Sequence, residues 1–146
     1  MRGFIKVKNQ GKITIGNDVT INSGFYINPI GGYSRTMLNT YEGSEIVIGN
    51  HVGISNAVLV SKKKITVGDH TLIGGGALLI DSDFHSLDWR LRNTQNDESR
   101  DKEVEIGAHA FVGAHTILTK GSTVGDMVII PAGFRGKYPP KREVKG

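Results

Sequence analysis

The stretch ITVGDHTLIGGGALLI, residues 65 to 80, decides the fold because its aliphatic residues recur at intervals of six. Val67 and Ile73 open two consecutive hexads, and each of them is followed by glycine. Thr71 and Ala77 hold the fifth positions. An aliphatic first residue and a compact fifth residue can both point inward from a short strand that ends in a corner, where glycine relieves backbone strain. The stretch therefore predicts short strands joined by tight corners.

The same register continues through most of the chain. Eleven hexads share it, and glycine holds the second position in seven of them. The fifth residues, Val58 among them, are small or β-branched except at Phe25 and Phe134. The helical spacing of three and four is not sustained, so long amphipathic helices are not expected. The first residues of the hexads are Ile15, Ile21, Ile48, Ile54, Val67, Ile73, Ile106, Val112, Leu118, Val124 and Ile130.

A single hexad is too short to bury its own apolar face, so the hexads must wind into coils that stack on one another. Three hexads give a coil with three flat faces and about eighteen residues. The observed spacings agree with this length once two insertions, about 28–45 and 80–105, are set aside. The sequence therefore predicts four full coils and a partial fifth within a domain at 1–134, followed by a basic tail at 135–146.

Composition restricts the classes of function. Cysteine is absent, which excludes a disulfide framework, a thiolate nucleophile and a thiolate metal site. The net charge of +4 equals the local excess in the tail, where five Lys and Arg face one Glu, so the body of the domain is neutral. The tail has no nucleic-acid motif, and we expect no nucleic-acid partner. No apolar run resembles a signal peptide or a membrane span, so a cytoplasmic location is expected.

The segments ITVGDHTLIGGGALLI and VEIGAHAFVGAHTILTKGSTVGD, residues 104 to 126, resemble the hexapeptide-repeat acyltransferases. The resemblance spans roughly residues 46 to 133 and is strongest to the O-acetyltransferases of galactosides, maltose and capsular sugars. It implies an all-β fold, a left-handed parallel β-helix with one extended catalytic loop. It also implies transfer of an acetyl group from acetyl-CoA to a sugar hydroxyl, without a metal.

The second insertion contains the candidate catalytic residue. Insertions in a solenoid emerge as loops on one face and often carry function. The stretch DSDFHSL, residues 81 to 87, resembles the loop in which the family carries a histidine base, and His85 is the matching position. A neutral imidazole can accept a proton from a sugar hydroxyl while that oxygen attacks a thioester. The alternative is that His85 only packs or caps the loop.

Further residues are candidates for contacts to both substrates, and the resemblance implies Asn56 and the coenzyme A ligands among them. Asn56 and Asp83 are the candidate acceptor ligands, with Asp81 a weaker one, although an asparagine that stabilises its own corner is an equal alternative for Asn56. Asp81 and Asp83 could instead orient the His85 ring or only be solvated. Tyr33, Arg35 and Tyr41 in the first insertion are additional candidates for acceptor contacts. The implied coenzyme A ligands are Phe111, Gly113, Ala114, Ala132 and Lys137, with the backbone of Gly113 and Ala114 facing the thioester oxygen. The C-terminal segment PAGFRGKYPPKREVKG departs from the family pattern, which puts Lys137 in doubt.

Two other functions stay open at this point. His51, His70 and His109 hold the fourth position of their hexads and should stack on one corner, between Asp18 and Met127. Such a row suits an exposed ladder better than a convergent zinc site, but a zinc hydratase resembling the γ-type carbonic anhydrases is one alternative. An inactive β-helical scaffold is the other. For the acyltransferase, a base on an exposed loop needs a neighbouring subunit to exclude water, so a homotrimer is expected.

Overall fold

The computed structural model describes residues 1–140, which form seventeen short β-strands in three parallel sheets and contain no α-helix. Sheet A comprises β1 (Arg2–Gly3), β4 (Thr20–Ser23), β7 (Gly53–Ser55), β10 (Leu72–Ile73), β13 (Phe111–Val112) and β16 (Ile129–Ile130). Sheet B comprises β2 (Lys6–Asn9), β5 (Met37–Thr40), β8 (Val58–Ser61), β11 (Leu78–Ile80), β14 (Ile117–Leu118) and β17 (Arg135–Gly136). Sheet C comprises β3 (Lys12–Ile15), β6 (Glu45–Ile48), β9 (Lys64–Val67), β12 (Val104–Ile106) and β15 (Thr123–Val124).

The chain visits sheets A, B and C in turn, so three successive strands complete one coil of a β-helix. Each strand pairs in parallel with the strands one coil before and after it: Ile54 lies between Ile21 and Ile73 in sheet A. The predicted three-faced coil is confirmed. Three corners join the sheets, and they are called the A–B, B–C and C–A corners below.

The core consists of ladders of aliphatic side chains, one rung for each coil. Sheet B contributes Leu38, Leu59, Leu79 and Leu118, all fully buried. The first hexad positions predicted to point inward are buried in ten of eleven cases, and Ile15 is the exception at 43% exposure. Ile15 lies in the first coil, which has a neighbouring coil on one side only. A coil at the end of a stack cannot bury its side chains as completely as an inner one.

Among the small or β-branched fifth residues, one points the other way. The fifth-position assignment of Val58 is wrong, because Ala57 is buried in its place while Val58 is only partly buried. The reason is the A–B corner of this coil, where Ala57 follows Ile54 by three residues instead of the four that separate Ala77 from Ile73. The shorter corner shifts the inward register of β8 by one residue.

Both ends of the domain differ from the prediction. Five complete coils and two strands of a sixth are present in residues 1–140, instead of four and a partial fifth. The extra coil is the first one, whose strands β1 and β2 are exposed throughout and therefore lack the hexad pattern. At the other end, Arg135–Gly136 forms β17 beside β14, so the tail does not begin at residue 135. The remainder of the predicted tail, 141–146, lies outside the described residues.

Two insertions leave the coils at different corners. The first occupies 24–36 at the A–B corner instead of the predicted 28–45. It is shorter at its end because residues 37–40 form β5. The second occupies 81–103 at the B–C corner, close to the predicted 80–105. The C–A corner has no insertion within the part of the chain that the structure describes. Nothing in residues 1–140 forms a helix long and apolar enough to span a membrane.

Candidate functional site

The second insertion is anchored at its base by a buried carboxylate. Asp81 is inaccessible to solvent and accepts hydrogen bonds from Ser61 Oγ and from the backbone N–H groups of Lys62 and Lys63, at 2.7 to 2.9 Å. Beside it, Ser82 forms an antiparallel bridge with Asp101 that closes the neck of the loop. Asp81 is therefore fully used in building the B–C corner, and it has no exposed atom for a substrate.

The backbone turns sharply just before the predicted base. Phe84 has a φ of 61°, in the left-handed region that a bulky residue rarely adopts. Its N–H donates to Ser82 Oγ at 2.9 Å, and its ring lies 6.2 Å from the ring of Tyr41. These contacts hold the strained residue in place, as is common at functional sites. The following side chain, His85, is thereby directed outward and is 61% exposed.

His85 is oriented by an aspartate that the sequence analysis did not identify. Its Nδ1 lies 2.8 Å from Asp97 Oδ2. Asp97 also accepts hydrogen bonds from the backbone N–H of Ser86 at 2.6 Å and of Asn93 at 2.9 Å. The carboxylate therefore ties three segments of the loop to the imidazole. Asp97 lies twelve residues from His85 in an irregular segment, where no periodicity could have connected the two.

The charge of Asp97 determines which imidazole nitrogen is free. The hydrogen bonds from the Ser86 N–H, His85 and the Asn93 N–H lower the pKa of Asp97 to about 2. An ionised carboxylate only accepts hydrogen bonds, so the proton between the two side chains resides on His85 Nδ1. In the neutral form of this imidazole, Nε2 carries the lone pair. This is the tautomer that a general base requires.

Asp83, one of the two predicted acceptor ligands, is held by a lysine of the next coil. Lys120 Nζ lies 2.7 Å from both carboxylate oxygens of Asp83. The Asp83 N–H also donates to the carbonyl of Arg100 across the neck of the loop. Asp83 keeps part of its side chain exposed. Its contact with an acceptor stays a prediction, and its observed role is to fasten the loop to β14 and the corner that follows.

The other predicted acceptor ligand, Asn56, is buried at the A–B corner. Its Oδ1 accepts from the Gly24 N–H at 2.7 Å, and its Nδ2 donates to the carbonyls of Asn28 and Ile30 at 2.7 and 2.9 Å. The side chain has no exposed surface. Its φ of 46° is a conformation that asparagine tolerates better than most residues. In this chain the amide of Asn56 holds the first insertion against the coils.

We expect Asn56→Gly to destabilise the protein, because glycine keeps the positive φ but leaves the Gly24 N–H and two carbonyls without their partner. The free energy of unfolding should fall by about 2 to 3 kcal/mol in denaturant titrations. Asn17→Ala, at an exposed asparagine of another corner, is the control and should change it by less than about 0.5 kcal/mol. Unchanged stability combined with lost acceptor affinity would instead support the direct contact.

A groove of about 430 Å³ crosses sheet A and ends against the first insertion. Phe111 and Leu72 form part of its floor, and Gly75, Ala114 and Ile30 line it at the A–B corner. Two of the predicted coenzyme A ligands, Phe111 and Ala114, therefore lie in one groove. Ala132 is exposed at the same corner, one coil beyond Ala114, where the Ala114 carbonyl accepts from the Gly133 N–H.

The backbone donors of this corner are not equally available. The Gly113 N–H donates to the carbonyl of Ile130 at 2.9 Å, as part of the parallel ladder. Within residues 1–140, no acceptor is hydrogen bonded to the Ala114 N–H. Of the two donors predicted to face a thioester oxygen, only Ala114 is thus free. Gly113 has a structural reason to be glycine, since a Cβ there would collide with the backbone nitrogen of Ala132.

The structure does not bring all predicted site residues together within one chain. Lys137 lines a different cleft, with Lys63 and Lys102 near the B–C corner, and is separated from Ala132 by β17. His85 also belongs to the B–C corner, which lies opposite sheet A in a three-sided helix. A single chain therefore presents the histidine on one side and the Phe111 groove on the other.

The predicted histidine ladder is present at the C–A corner. The rings of His51, His70 and His109 stack at centroid distances of 4.7 Å, with interplanar angles of 11° and 5°. Parallel stacked rings direct their nitrogens side by side instead of toward one point, so the ladder does not form the convergent site that zinc needs. Within residues 1–140, no group of three or more His, Asp or Glu side chains is placed to hold a metal ion.

The parallel three-sheet coils match a left-handed parallel β-helix, and the fold class implied by the sequence is confirmed. The chain is 33% identical over 92 residues to galactoside O-acetyltransferase of Escherichia coli, covering 62% of this chain and 44% of that protein. It is 32% identical over 98 residues to the bifunctional protein GlmU of Cereibacter sphaeroides, covering 61% of this chain and 18% of GlmU. The chain thus matches less than half of the length of either relative. No model of a known protein family matches it.

Solved structures agree on the fold. A point mutant of AntD, an N-acyltransferase from Bacillus cereus in complex with dTDP and coenzyme A, superimposes with a TM-score of 0.65 at 18% identity, covering 91% of this chain and 68% of AntD. AntD in complex with dTDP and 3-hydroxybutyryl-CoA gives a TM-score of 0.59. At this identity the similarity shows the fold alone. Together with the sequence matches, it confirms the resemblance to the hexapeptide-repeat acyltransferases.

Proposed function

We propose that the protein is an acetyl-CoA-dependent O-acetyltransferase that modifies a sugar hydroxyl. The observation that carries the proposal is the exposed His85, whose Nδ1 is held by the ionised Asp97 so that Nε2 is free to accept a proton. Similarity to galactoside O-acetyltransferase supports the class of reaction and the sugar acceptor. The AntD complexes support a coenzyme A donor for a protein of this fold.

In the proposed mechanism, His85 acts as the general base. Nε2 takes the proton of the acceptor hydroxyl while the hydroxyl oxygen attacks the carbonyl carbon of the thioester. Asp97 stabilises the imidazolium that forms and keeps the ring in its orientation. When the carbon–sulfur bond breaks, the imidazolium returns its proton to the departing thiolate. The acetyl ester and the free coenzyme A thiol are the products, and His85 is regenerated.

The free N–H of Ala114 supplies the electrostatic part of the mechanism. A donor aimed at the thioester oxygen stabilises the charge that develops there, and the loss of one such donor typically costs about 3 kcal/mol of transition-state stabilisation. The groove beside it is lined by Phe111 and Leu72, which offer an apolar wall to the pantetheine arm. The chain has no cysteine to carry the acetyl group, so transfer within a ternary complex is the simplest course.

The function is tested by incubating the purified protein with acetyl-CoA and a panel of sugars and sugar nucleotides, including amino sugars. Release of the coenzyme A thiol and the mass of the product are measured. Formation of an O-acetyl sugar is expected. An N-acetyl product would contradict the hydroxyl acceptor, and no transfer together with no coenzyme A binding would support the inactive scaffold. Transfer that is unaffected by chelators is also expected, whereas stoichiometric zinc and CO2 hydration would support the hydratase.

We further propose a homotrimer in which the site is shared between subunits. His85 and the Phe111 groove lie on opposite sides of one chain, so a complete site needs the loop of one copy against sheet A of the next. Exposed apolar side chains occur on both surfaces: Leu87 and Trp89 on the loop, Leu72 and Ile129 on sheet A. Three such heterologous contacts close into a ring. The second copy also excludes water from the thioester.

Subunit mixing tests the shared site. His85→Ala chains lack the base, and Ala114→Trp chains have a blocked groove, so neither should be active alone. In a trimer, an equal mixture should recover about a quarter of wild-type activity, because one site in four combines an intact loop with an intact groove. The measurement is the rate of transfer after verified subunit exchange. A monomeric mass by light scattering, or no recovery after exchange, would contradict the proposal.

A further inference from the structure

A second cleft adjoins the first insertion and shares no lining residue with the Phe111 groove. It has a volume of about 360 Å³ and is lined by Phe4, Phe25, Tyr26 and Tyr33. These four are among only ten Phe, Tyr and Trp residues in the chain, so the concentration is well above chance. The cleft belongs to the first two coils at the A–B corner, away from the B–C corner that carries His85.

The aromatic rings of this cleft are accessible instead of packed into the core. Tyr26 and Tyr33 are 97% and 88% exposed. The Tyr33 ring stacks on Phe25 at a centroid distance of 5.2 Å and an interplanar angle of 24°, and the Tyr26 ring meets Phe25 edge-on at 5.6 Å. Exposed aromatic surface of this extent marks a binding site more often than a structural one. At least one face of both tyrosine rings is free for a flat ligand.

Two cationic side chains, Arg35 and Lys6, line a pocket that adjoins the aromatic cleft. This pocket has a volume of about 370 Å³ and shares Phe4 and Arg35 with the cleft. Among the described residues, no Asp or Glu lines either pocket, and neither Arg35 nor Lys6 forms a salt bridge. Leaving two neighbouring cations without a carboxylate partner favours an anionic ligand. Arginine is suited to phosphate because its guanidinium can donate two parallel hydrogen bonds.

We propose that this continuous cleft binds a nucleoside diphosphate. The base stacks on the exposed tyrosine rings, and the diphosphate is held by Arg35 and Lys6. Base stacking on aromatic side chains is tolerant of the base, so the geometry defines the class of ligand and leaves the base open. Tyr33 and Arg35 were candidate acceptor contacts on sequence grounds, whereas Tyr41 packs against Phe84 at the B–C corner and takes no part in this cleft.

A nucleoside diphosphate can come from two sources. It is the carrier of an activated sugar, and it is also the adenosine end of coenzyme A. The expected donor groove, with Phe111 and Ala114, shares no lining residue with this cleft, which favours the sugar carrier. The acceptor is then a nucleotide-linked sugar. This assignment of the source rests on the proposed function, whereas binding of the nucleotide does not.

Isothermal titration calorimetry with UDP and with dTDP on the full chain tests the cleft. Arg35→Gln and Lys6→Gln should weaken diphosphate binding about tenfold or more, while leaving uridine binding nearly unchanged. Tyr33→Ala should weaken UDP and uridine alike, by about fivefold or more. Lys8→Gln is the matched control, because it removes one charge from the same strand outside both pockets and should have little effect. Circular dichroism verifies the fold of each variant.

The possible outcomes test three statements separately: that the cleft binds a nucleotide, that the nucleotide is the carrier of a sugar, and that His85 catalyses acetyl transfer. No UDP or dTDP binding, or binding that Arg35→Gln and Tyr33→Ala leave unchanged, would overturn the site. Simultaneous binding of UDP and coenzyme A supports the sugar carrier, and competition between them assigns the cleft to coenzyme A. His85→Ala should bind UDP normally but transfer acetyl groups about 10²-fold or more slowly. If the protein binds nucleotide yet no acceptor is acetylated, the catalytic proposal fails while the nucleotide site stands.

Discussion

Replacing His85 with alanine is expected to lower the rate of acetyl transfer by about 10²-fold or more. General base catalysis contributes typically about 10² to 10⁴ in rate, and no other titratable side chain of the described residues shares a hydrogen bond with Asp97. The loss should appear in kcat, because the substitution removes a proton acceptor and leaves the Phe111 groove intact. Steady-state kinetics with acetyl-CoA and the best acceptor from the panel provides the measurement.

The fold of the His85→Ala protein should be unchanged. The side chain is mostly exposed, and Asp97 retains the backbone N–H groups of Ser86 and Asn93 as partners. Coenzyme A affinity and the unfolding midpoint should therefore match those of the wild type. His70→Asn is a suitable control, since asparagine tolerates the positive φ of that corner and His70 does not line the Phe111 groove. Full transfer by His85→Ala with normal coenzyme A binding would refute the catalytic role.

Most of the fold could be predicted because it follows from a local period. The hexads place Ile21, Ile54 and Ile73 in one ladder, and a side chain that must point inward in every coil leaves a regular signal in the sequence. The signal disappears where a coil has only one neighbour, which is why β1 and β2 were missed. The signal also fails at Val58. A corner shortened by one residue turns Ala57 inward in place of Val58, and because both residues are small and apolar the sequence pattern does not show the change.

The candidate site was only partly predictable. The position of His85 follows from the motif that interrupts the hexads, but its partner Asp97 depends on how an irregular loop closes on itself. The case of Asn56 is similar. The resemblance predicts it as an acceptor ligand, whereas its hydrogen bonds to Gly24, Asn28 and Ile30 exist only because the first insertion folds back over the corner. Contacts made by an irregular insertion have no period, so a single sequence does not reveal them.

Asp97→Asn should lower kcat by about 10²-fold at neutral pH, with little change in the KM for acetyl-CoA. The carboxylate accepts from the Ser86 N–H through one oxygen and from His85 Nδ1 and the Asn93 N–H through the other. An amide in the same place must direct its NH2 group at one of these donors. If it faces His85, the imidazole proton moves to Nε2 and the base is lost. If it faces Ser86, the loop that positions His85 is disturbed.

Asp88→Asn is the matched control, because it makes the same chemical change in the same loop at a carboxylate that pairs with Arg90 and does not contact His85. It should keep kcat within about twofold, as is usual for surface substitutions. Equal losses in both variants would indicate general disorder of the loop. A loss confined to Asp97→Asn, with an unchanged circular dichroism spectrum and normal coenzyme A affinity, is expected if Asp97 acts by positioning the base.

The pH dependence provides an independent test of Asp97. Its pKa of about 2 lies below the ordinary value for aspartate, so the stabilisation from its ionised form is complete above about pH 4 and is lost only as the pH falls through about 2. Protonation of Asp97 therefore contributes nothing to the acid limb of kcat/KM between pH 5 and 8. The wild type and Asp97→Asn should show the same apparent stability across that range, apart from a constant offset. A difference in stability between the wild type and Asp97→Asn that stays constant from pH 5 down to about pH 2 would show that Asp97 titrates near its ordinary range and does not hold His85 as a fixed anion.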